Sequence, residues 1–229
     1  MAKWKIESCS VEDAAALAQN NISAFWEDPT WRILWPDEIT LEYLIEQSGI
    51  RQGNNLLRSP EDMRHQKAVD PATGALVGYA RWKLPSTCAD DEWPEARVPV
   101  VGEEEKKQIQ QLAESAWWEP RSDMDSLDEE AHRISTRILA EKPHIKLDYL
   151  AVHPNNKGKG IASALVESGI QQANRLGLPI FILAYKAGHG VYKRLGFQEV
   201  DRIIQDISKF GCSTEYGVYF MVYDPLLSG

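Results

Sequence analysis

The chain has 229 residues and a formal net charge of -9, with 43% hydrophobic and 26% charged residues. This composition supplies a hydrophobic core, and the negative charge disfavours non-specific nucleic-acid binding, which needs a basic surface. No run approaches the ~18 apolar residues of a membrane span. Since residues 1–6 hold no apolar signal core, we expect a cytoplasmic protein without membrane or nucleic-acid partners.

The first third of the chain predicts a strand, two helices and a hairpin. Polar and apolar residues alternate over 3–9, and Ser10 with Asp13 resembles a capping box that opens a helix. Asp28 and Pro29 end that helix, and the sequence Asp70 to Gly74 is typical of a hairpin turn. The predicted elements are a strand over 3–9, helices over 10–25 and 40–57, and strands over 63–69 and 75–84.

Residues 86–143 differ in composition from the rest. They hold 15 Asp/Glu and 7 Lys/Arg, and therefore most of the net negative charge. Residues 103–118 and 125–141 look helical. The segment is too short and too acidic to bury a good core alone, so we interpret it as an acidic helical insertion within a single domain over 1–229.

The last third predicts alternating strands and helices. A strand, a helix and a second apolar strand follow one another over 145–184, which implies a parallel pair with a crossover helix. The predicted elements are strands over 145–152, 179–184, 197–207 and 215–223, and helices over 159–176 and 188–195.

A glycine loop joins the strand at 145–152 to the next helix. Backbone N–H groups at a helix start lack intrahelical acceptors and lie at the positive end of the helix dipole, so they form an anion site. Gly158 and Gly160 let an anion approach the backbone closely, and Lys157 and Lys159 add positive charge. The spacing fits neither the P-loop motif nor the dinucleotide fingerprint, so a nucleotide-binding enzyme rests on the loop alone.

Two motifs in the expected order resemble those of the GNAT (Gcn5-related N-acetyltransferase) superfamily. Lys157-Gly-Lys-Gly160-Ile-Ala162 resembles its acetyl-coenzyme A loop, Q/R-x-x-G-x-G/A, and departs from it at Lys157. Tyr192-Lys-Arg-Leu-Gly196-Phe197 follows about 30 residues later and resembles the Y-x-x-x-G-F signature. The likeness covers the chain outside 86–143.

This resemblance implies an α/β (α+β) GNAT fold, with a mixed central sheet of about six to seven strands flanked by helices. It also implies an acetyltransferase, a monomer or homodimer, that moves an acetyl group from acetyl-coenzyme A (acetyl-CoA) directly to an amine. The pyrophosphate is expected on the 157–162 loop, and the pantetheine arm on the free edge of the fourth strand, where the fifth strand splays away. The cofactor-binding candidates are Leu150, Ala151, Val152, Lys157, Gly158, Lys159, Gly160, Ile161, Ala162 and Tyr185, the last replacing an Asn of many members.

The resemblance places Tyr192 at the thioester sulfur, where a phenol can protonate the leaving thiolate. Asp148 is the candidate base, since strand alternation predicts that it projects to the face of Leu150 and since a carboxylate among apolar residues is costly unless partnered. His144 and His189 are weaker candidates. Packing beside Phe197 is the structural alternative for Tyr192, and a salt bridge is that for Asp148.

The acceptor is expected opposite the cofactor, beside the loop between the first two helices. This loop interleaves aromatic residues with carboxylates, which suits a cation with an apolar body. We therefore expect a small hydrophobic or aromatic primary amine; a non-catalytic GNAT-fold regulator and a protein lysine acetyltransferase are the alternatives. Trp26, Trp31 and Trp35 are the substrate-binding candidates, the carboxylates are Glu27, Asp28, Asp37 and Glu38, and the insertion's Trp93, Trp117 and Trp118 extend or cover this wall.

Overall fold

The computed structural model describes residues 3–124, 126–212 and 215–227. Seven strands form one mixed sheet in the order β1-β2-β3-β4-β5-β7-β6. The strands are β1 (Lys5–Ser8), β2 (Met63–Val69), β3 (Leu76–Lys83), β4 (Ile145–Val152), β5 (Ile180–Tyr185), β6 (Gln198–Gln205) and β7 (Tyr216–Tyr223). The helices are α1 (Ala14–Trp26), α2 (Pro29–Arg32), α3 (Leu41–Leu56), α4 (Glu103–Glu114), α5 (Ser126–Glu141), α6 (Ile161–Leu176) and α7 (Lys186–Arg194).

These elements confirm the predicted order of strands and helices. The predicted start of α5, at 125, lies outside the described residues, and the four-residue α2 was not predicted. Asp28 caps α2 by accepting a hydrogen bond from the Thr30 amide at 2.9 Å. In the described part of the chain no helix is long and apolar enough to cross a membrane.

The crossover through α6 makes β4 and β5 parallel, as predicted. The two strands pair only between Ile145–Leu147 and Ile180–Ile182, although β4 runs on to Val152 and β5 to Tyr185. Beyond Leu147 the strands therefore diverge, and the edge of β4 that faces β5 loses its strand partner. This is the splay that the resemblance implied.

Close packing fixes α6 on the sheet. A Cβ at Gly169 would overlap the ring of Trp82, which is fully buried and donates its Nε1–H to Gln66 Oε1 at 3.1 Å. Any larger residue at position 169 would push α6 away from β3. The glycine loop that opens α6 is thereby held at the end of β4.

A β-bulge in β4 reverses the expected direction of Asp148. Tyr149 lies opposite Arg81 and Leu147 lies opposite Trp82, so Asp148 is an extra residue in the ladder. Leu150 packs against the same core cluster as Leu147, although three positions separate them. Strict alternation, which put Asp148 on the face of Leu150, is therefore wrong here, because a bulge shifts the period by one residue.

The 86–143 segment buries its apolar residues against the rest of the chain. One face of α5 packs on the ring pair Phe181 and Phe220, from β5 and β7. Trp117 and Trp118, which follow α4, both contact the ring of Trp35. The segment therefore contributes to the sheet's second face and to the wall beside α3. The α5 residues involved are Leu127, Ala131, Ile134 and Ile138.

Candidate active site

The glycine loop presents bare backbone to solvent. Gly158 and Gly160 have φ values of +76° and +82°, and no atom lies within 4 Å of a Cβ built on either residue. The left-handed conformation explains both glycines, since other residues adopt it at a cost. Gly160 directly precedes α6, so the open space lies at the positive end of a helix.

Several adjacent main-chain N–H groups at this loop are without an acceptor in the described part of the chain. In the described residues, nothing accepts a hydrogen bond from the amides of residues 158–163. The Lys157 ammonium pairs with Glu27 at 2.9 Å, and that of Lys159 donates to Asn156 Oδ1 at 2.8 Å. The donors are therefore mainly backbone N–H groups, the arrangement that binds phosphate at helix starts.

A buried asparagine holds the far end of β4. Asn20 of α1 donates to the Ala151 carbonyl at 3.2 Å and accepts from the His153 amide at 3.0 Å. The Ala151 carbonyl, which we expected on the pantetheine arm, thus has a protein donor already. Sequence reasoning missed Asn20; the available signal was a polar pair, Asn20 and Asn21, on the buried face of an apolar helix.

Tyr192 lies on α7, directly after β5. Its ring is 6% exposed and packs 5.7 Å from that of Phe197, and burial raises the pKa of its phenol. In the described part of the chain its hydroxyl has no hydrogen-bond partner. Tyr185, at the end of β5, accepts a hydrogen bond from the Tyr216 hydroxyl at 3.3 Å. Burial therefore keeps the Tyr192 phenol protonated at neutral pH.

The two histidine candidates, His144 and His189, have partners outside the cavity described next. His144 lies 2.7 Å from the Lys142 carbonyl through Nδ1, and His189 lies 2.9 Å from Glu199 through Nε2. Neither lines the cavity described next.

A cavity of about 200 Å³ lies on the α1 and α3 side of the sheet, against β3 and β4. Trp31 and Trp35, two of the three substrate-binding candidates, line it together with Trp118 of the 86–143 segment. Trp26 does not, since its ring packs 4.6 Å from the Arg32 guanidinium. The lining residues are Asn21, Ile22, Trp31, Trp35, Ser48, Arg51, Gln52, Asn55, Tyr79, Arg81, Trp118 and Tyr149.

A profile of the acetyltransferase (GNAT) family matches residues 26–197. The chain belongs to this family. Its acetyl donor is accordingly acetyl-CoA, as the loop and tyrosine motifs implied. A search of curated proteins gave no match.

Solved structures share the fold of this GNAT acetyltransferase. A Corynebacterium glutamicum protein described as histone acetyltransferase HPA2 and related acetyltransferase is 18% identical, with a TM-score of 0.59 over 98% of this chain and 97% of that one. Arylalkylamine N-acetyltransferase 2 from Aedes aegypti is 14% identical, with a TM-score of 0.55 over 98% and 100%. The PaiA N-acetyltransferase from Thermoplasma acidophilum, solved with coenzyme A, is 15% identical, with a TM-score of 0.51 over 98% and 99%. At such identities the likeness establishes the fold.

The charges around the cavity differ from those expected for the acceptor wall. Glu27 pairs with Lys157 and Asp28 caps α2, and no carboxylate is among the lining residues. Two guanidinium groups line the cavity instead, those of Arg51 and Arg81. The positive charge of the lining could not be predicted from the spacing of residues along the α1–α3 loop, because Arg81 comes from β3.

Asp148 lies behind this wall in a salt bridge with two cations. Its carboxylate contacts the Arg81 guanidinium at 2.6 Å and the Lys146 ammonium at 2.9 Å. Burial alone would raise the pKa of Asp148, but the charges and hydrogen bonds of Arg81 and Lys146 outweigh it and lower the pKa. The carboxylate is therefore ionised and fixes the position of Arg81.

The lowered pKa of Asp148 leads to a prediction about the free energy of unfolding. The Asp148→Asn variant should unfold more easily at pH 7, by about 1–3 kcal/mol, because charge-assisted hydrogen bonds are lost. The folded pKa lies below the unfolded value of ~3.9, so this stabilisation is complete above that value and disappears as the pH falls through the folded pKa. Urea unfolding at pH 7 and in steps below pH 4 measures the difference.

Asp91→Asn is the matched control, since Asp91 is exposed and has no described partner. A difference between wild type and Asp148→Asn that stays constant down to the lowest pH would contradict the salt bridge as its source.

Proposed function

We propose that this acetyltransferase transfers the acetyl group of acetyl-CoA to the primary amine of a small molecule with an aromatic or apolar body. The observation that carries the proposal is the cavity beside the diverging part of β4. Its volume, about 200 Å³, is below the roughly 300–1,000 Å³ of drug-sized pockets, which favours a small acceptor. Three tryptophans and two tyrosines line it, which favours an aromatic or apolar body.

The residues of the glycine loop and of β4 fit a coenzyme A molecule. The unpartnered amides of 158–163 supply donors for a pyrophosphate, and the diverging edge of β4 supplies a strand-like surface for a pantetheine arm. In this proposal the pyrophosphate binds to the main-chain N–H groups of Gly158, Gly160, Ile161 and Ala162. Lys157 and Lys159 add positive charge. Leu150, Ala151 and Val152 form the edge, and Tyr185 stands at the end of β5. When bound, acetyl-CoA would supply an acetyl thioester; transfer of the acetyl group to an amine forms an amide bond, breaks the C–S bond and releases coenzyme A as a thiol.

Tyr192 is the proposed general acid. The resemblance of the 192–197 motif to the family signature supports this role, and the Tyr192 hydroxyl makes no described hydrogen bond that would compete for its proton. The residue therefore holds a proton that a departing thiolate can take.

Asp148 fits a positioning role better than that of a base. An effective general base has a pKa near the working pH, and the pKa of Asp148 is lowered by its two cationic partners. The kinetics of Asp148→Asn separate the two roles. Loss of the acidic limb of the pH–rate profile supports a base, whereas an unchanged limb with a raised KM supports a residue that holds Arg81 in place.

The cofactor assignment predicts that Gly160→Glu abolishes acetyl-CoA binding, because a side chain and a negative charge enter the anion site. Gly74→Glu is a matched control: Gly74 also has a left-handed φ, +72°, and open space around its Cβ, but lies in the β2–β3 turn. Calorimetric titration with acetyl-CoA measures the affinity, and unfolding confirms that both variants fold. Equal affinity of the two variants would contradict the assignment.

The general-acid role predicts that Tyr192→Phe lowers kcat by about 10²-fold or more and changes acetyl-CoA affinity much less. Tyr223→Phe is the control, since Tyr223 also packs against Phe197, at 5.6 Å, but donates its hydroxyl proton to Asn174. Coenzyme A release in the presence of an amine is the assay. Wild-type turnover by Tyr192→Phe would remove the acid role, and acetyl-CoA binding without release for any amine would indicate a non-catalytic regulator.

A further inference from the structure

We infer that the acceptor carries a carboxylate beside its amine, as an aromatic amino acid does, and that Arg51 binds this carboxylate. The inference rests on the proposed function and narrows it, because it gives the acceptor a charge that the sequence did not indicate.

Arg51 is a cation without an anion. It lies on α3, lines the cavity, and stacks on the ring of Trp118 at 4.2 Å. Among the described residues it makes no ion pair or hydrogen bond. Burial and the neighbouring charge of Arg58 lower its pKa, yet a guanidinium stays protonated in proteins. A partly buried guanidinium is costly unless paired, and its two parallel N–H groups match a carboxylate.

The other charged lining residue does not compensate the charge of Arg51. Arg81 is paired with Asp148, but Asp148 also holds the ammonium of Lys146. These three groups together carry one net positive charge. With Arg51, and with no acidic lining residue, the cavity favours an anionic group on its ligand.

Neutral hydrogen-bond donors in the cavity are also compatible with an anionic group on the ligand. Trp35 is 3% exposed, and its Nε1–H is buried without an acceptor in the described residues. The amides of Gln52 and Asn55 also line the cavity and make no described hydrogen bond. The indole of Trp35 can only donate and therefore suits an anion, whereas the amides of Gln52 and Asn55 can donate to an anion or accept from an ammonium.

The aromatic lining favours an aromatic amino acid over a phosphorylated aminosugar as the acceptor. Trp31, Trp35 and Trp118 bound the cavity on the same side as Arg51 and suit a flat apolar body. Both anions suit a guanidinium, so the experiment includes both kinds of acceptor.

The experiment compares acceptors that differ only in the carboxylate. Specificity constants are measured for phenylalanine against phenethylamine and for tryptophan against tryptamine, with glucosamine 6-phosphate as the phosphorylated arm. The proteins are wild type, Arg51→Met, and Arg58→Met, whose exposed side chain lies two residues beyond the end of α3 and has no described partner. Binding of each pair to the coenzyme A complex is measured by calorimetry alongside turnover.

Wild type should prefer the carboxylated member of each pair by about 10-fold or more, and Arg51→Met should reduce this ratio by about 10- to 100-fold. Arg58→Met should keep the wild-type ratio. Equal or tighter binding of phenethylamine and tryptamine to wild type, an unchanged ratio in Arg51→Met, or a preference for the phosphorylated sugar would each overturn the inference. The first two results leave the proposed function standing, whereas a preference for the phosphorylated sugar would also contradict the aromatic or apolar body that the proposed function gives the acceptor. The acetyltransferase activity itself fails separately if acetyl-CoA does not bind or no amine releases coenzyme A.

Discussion

The structure of the site depends on one extra residue in β4. The bulge at Asp148 lies where the pairing of β4 with β5 ends, so a single local irregularity both turns Asp148 toward Arg81 and coincides with the opening of the strand edge. A regular parallel pair in the same register would have continued until Tyr185, the last residue of β5, lay opposite Leu150, and would have satisfied backbone groups at the start of the edge that the proposal assigns to the cofactor. The close packing of α6 then places the glycine loop at the end of the opened strand.

The bulge also links the two halves of the proposed site. It places Asp148 against Arg81, which lines the cavity, while Tyr149, the next residue, lines the same cavity. The strand that is proposed to bind the cofactor thus forms part of the acceptor wall. The 86–143 segment completes that wall with Trp118, which stacks on Arg51. An acidic surface segment therefore helps to form a cavity with a positive lining.

Much of the fold could be predicted from the sequence, because the elements near the glycine loop carry strong local signals. β4 has the predicted bounds, and α6 begins two residues after the predicted start, since Gly160 takes a left-handed φ. The face of Asp148 could not be predicted, because no residue type marks a bulge between Leu147 and Tyr149. Nor could the charge of the acceptor wall, because Arg81 and Trp118 reach the cavity from distant parts of the chain. Asp28 and Glu27, which looked like acceptor ligands, have partners within the protein: Asp28 caps α2, and Glu27 pairs with the distant Lys157.

Hydrogen exchange at single amides tests the central claim, that the opened edge of β4 and the start of α6 together hold the cofactor. Exchange is followed in the whole protein without and with saturating coenzyme A. The account predicts slower exchange at the amides of residues 158–163 and along residues 150–152, with the β2–β3 turn at residues 70–74 unchanged as an internal reference. Unchanged exchange at both segments, with protection confined to another surface, would contradict it.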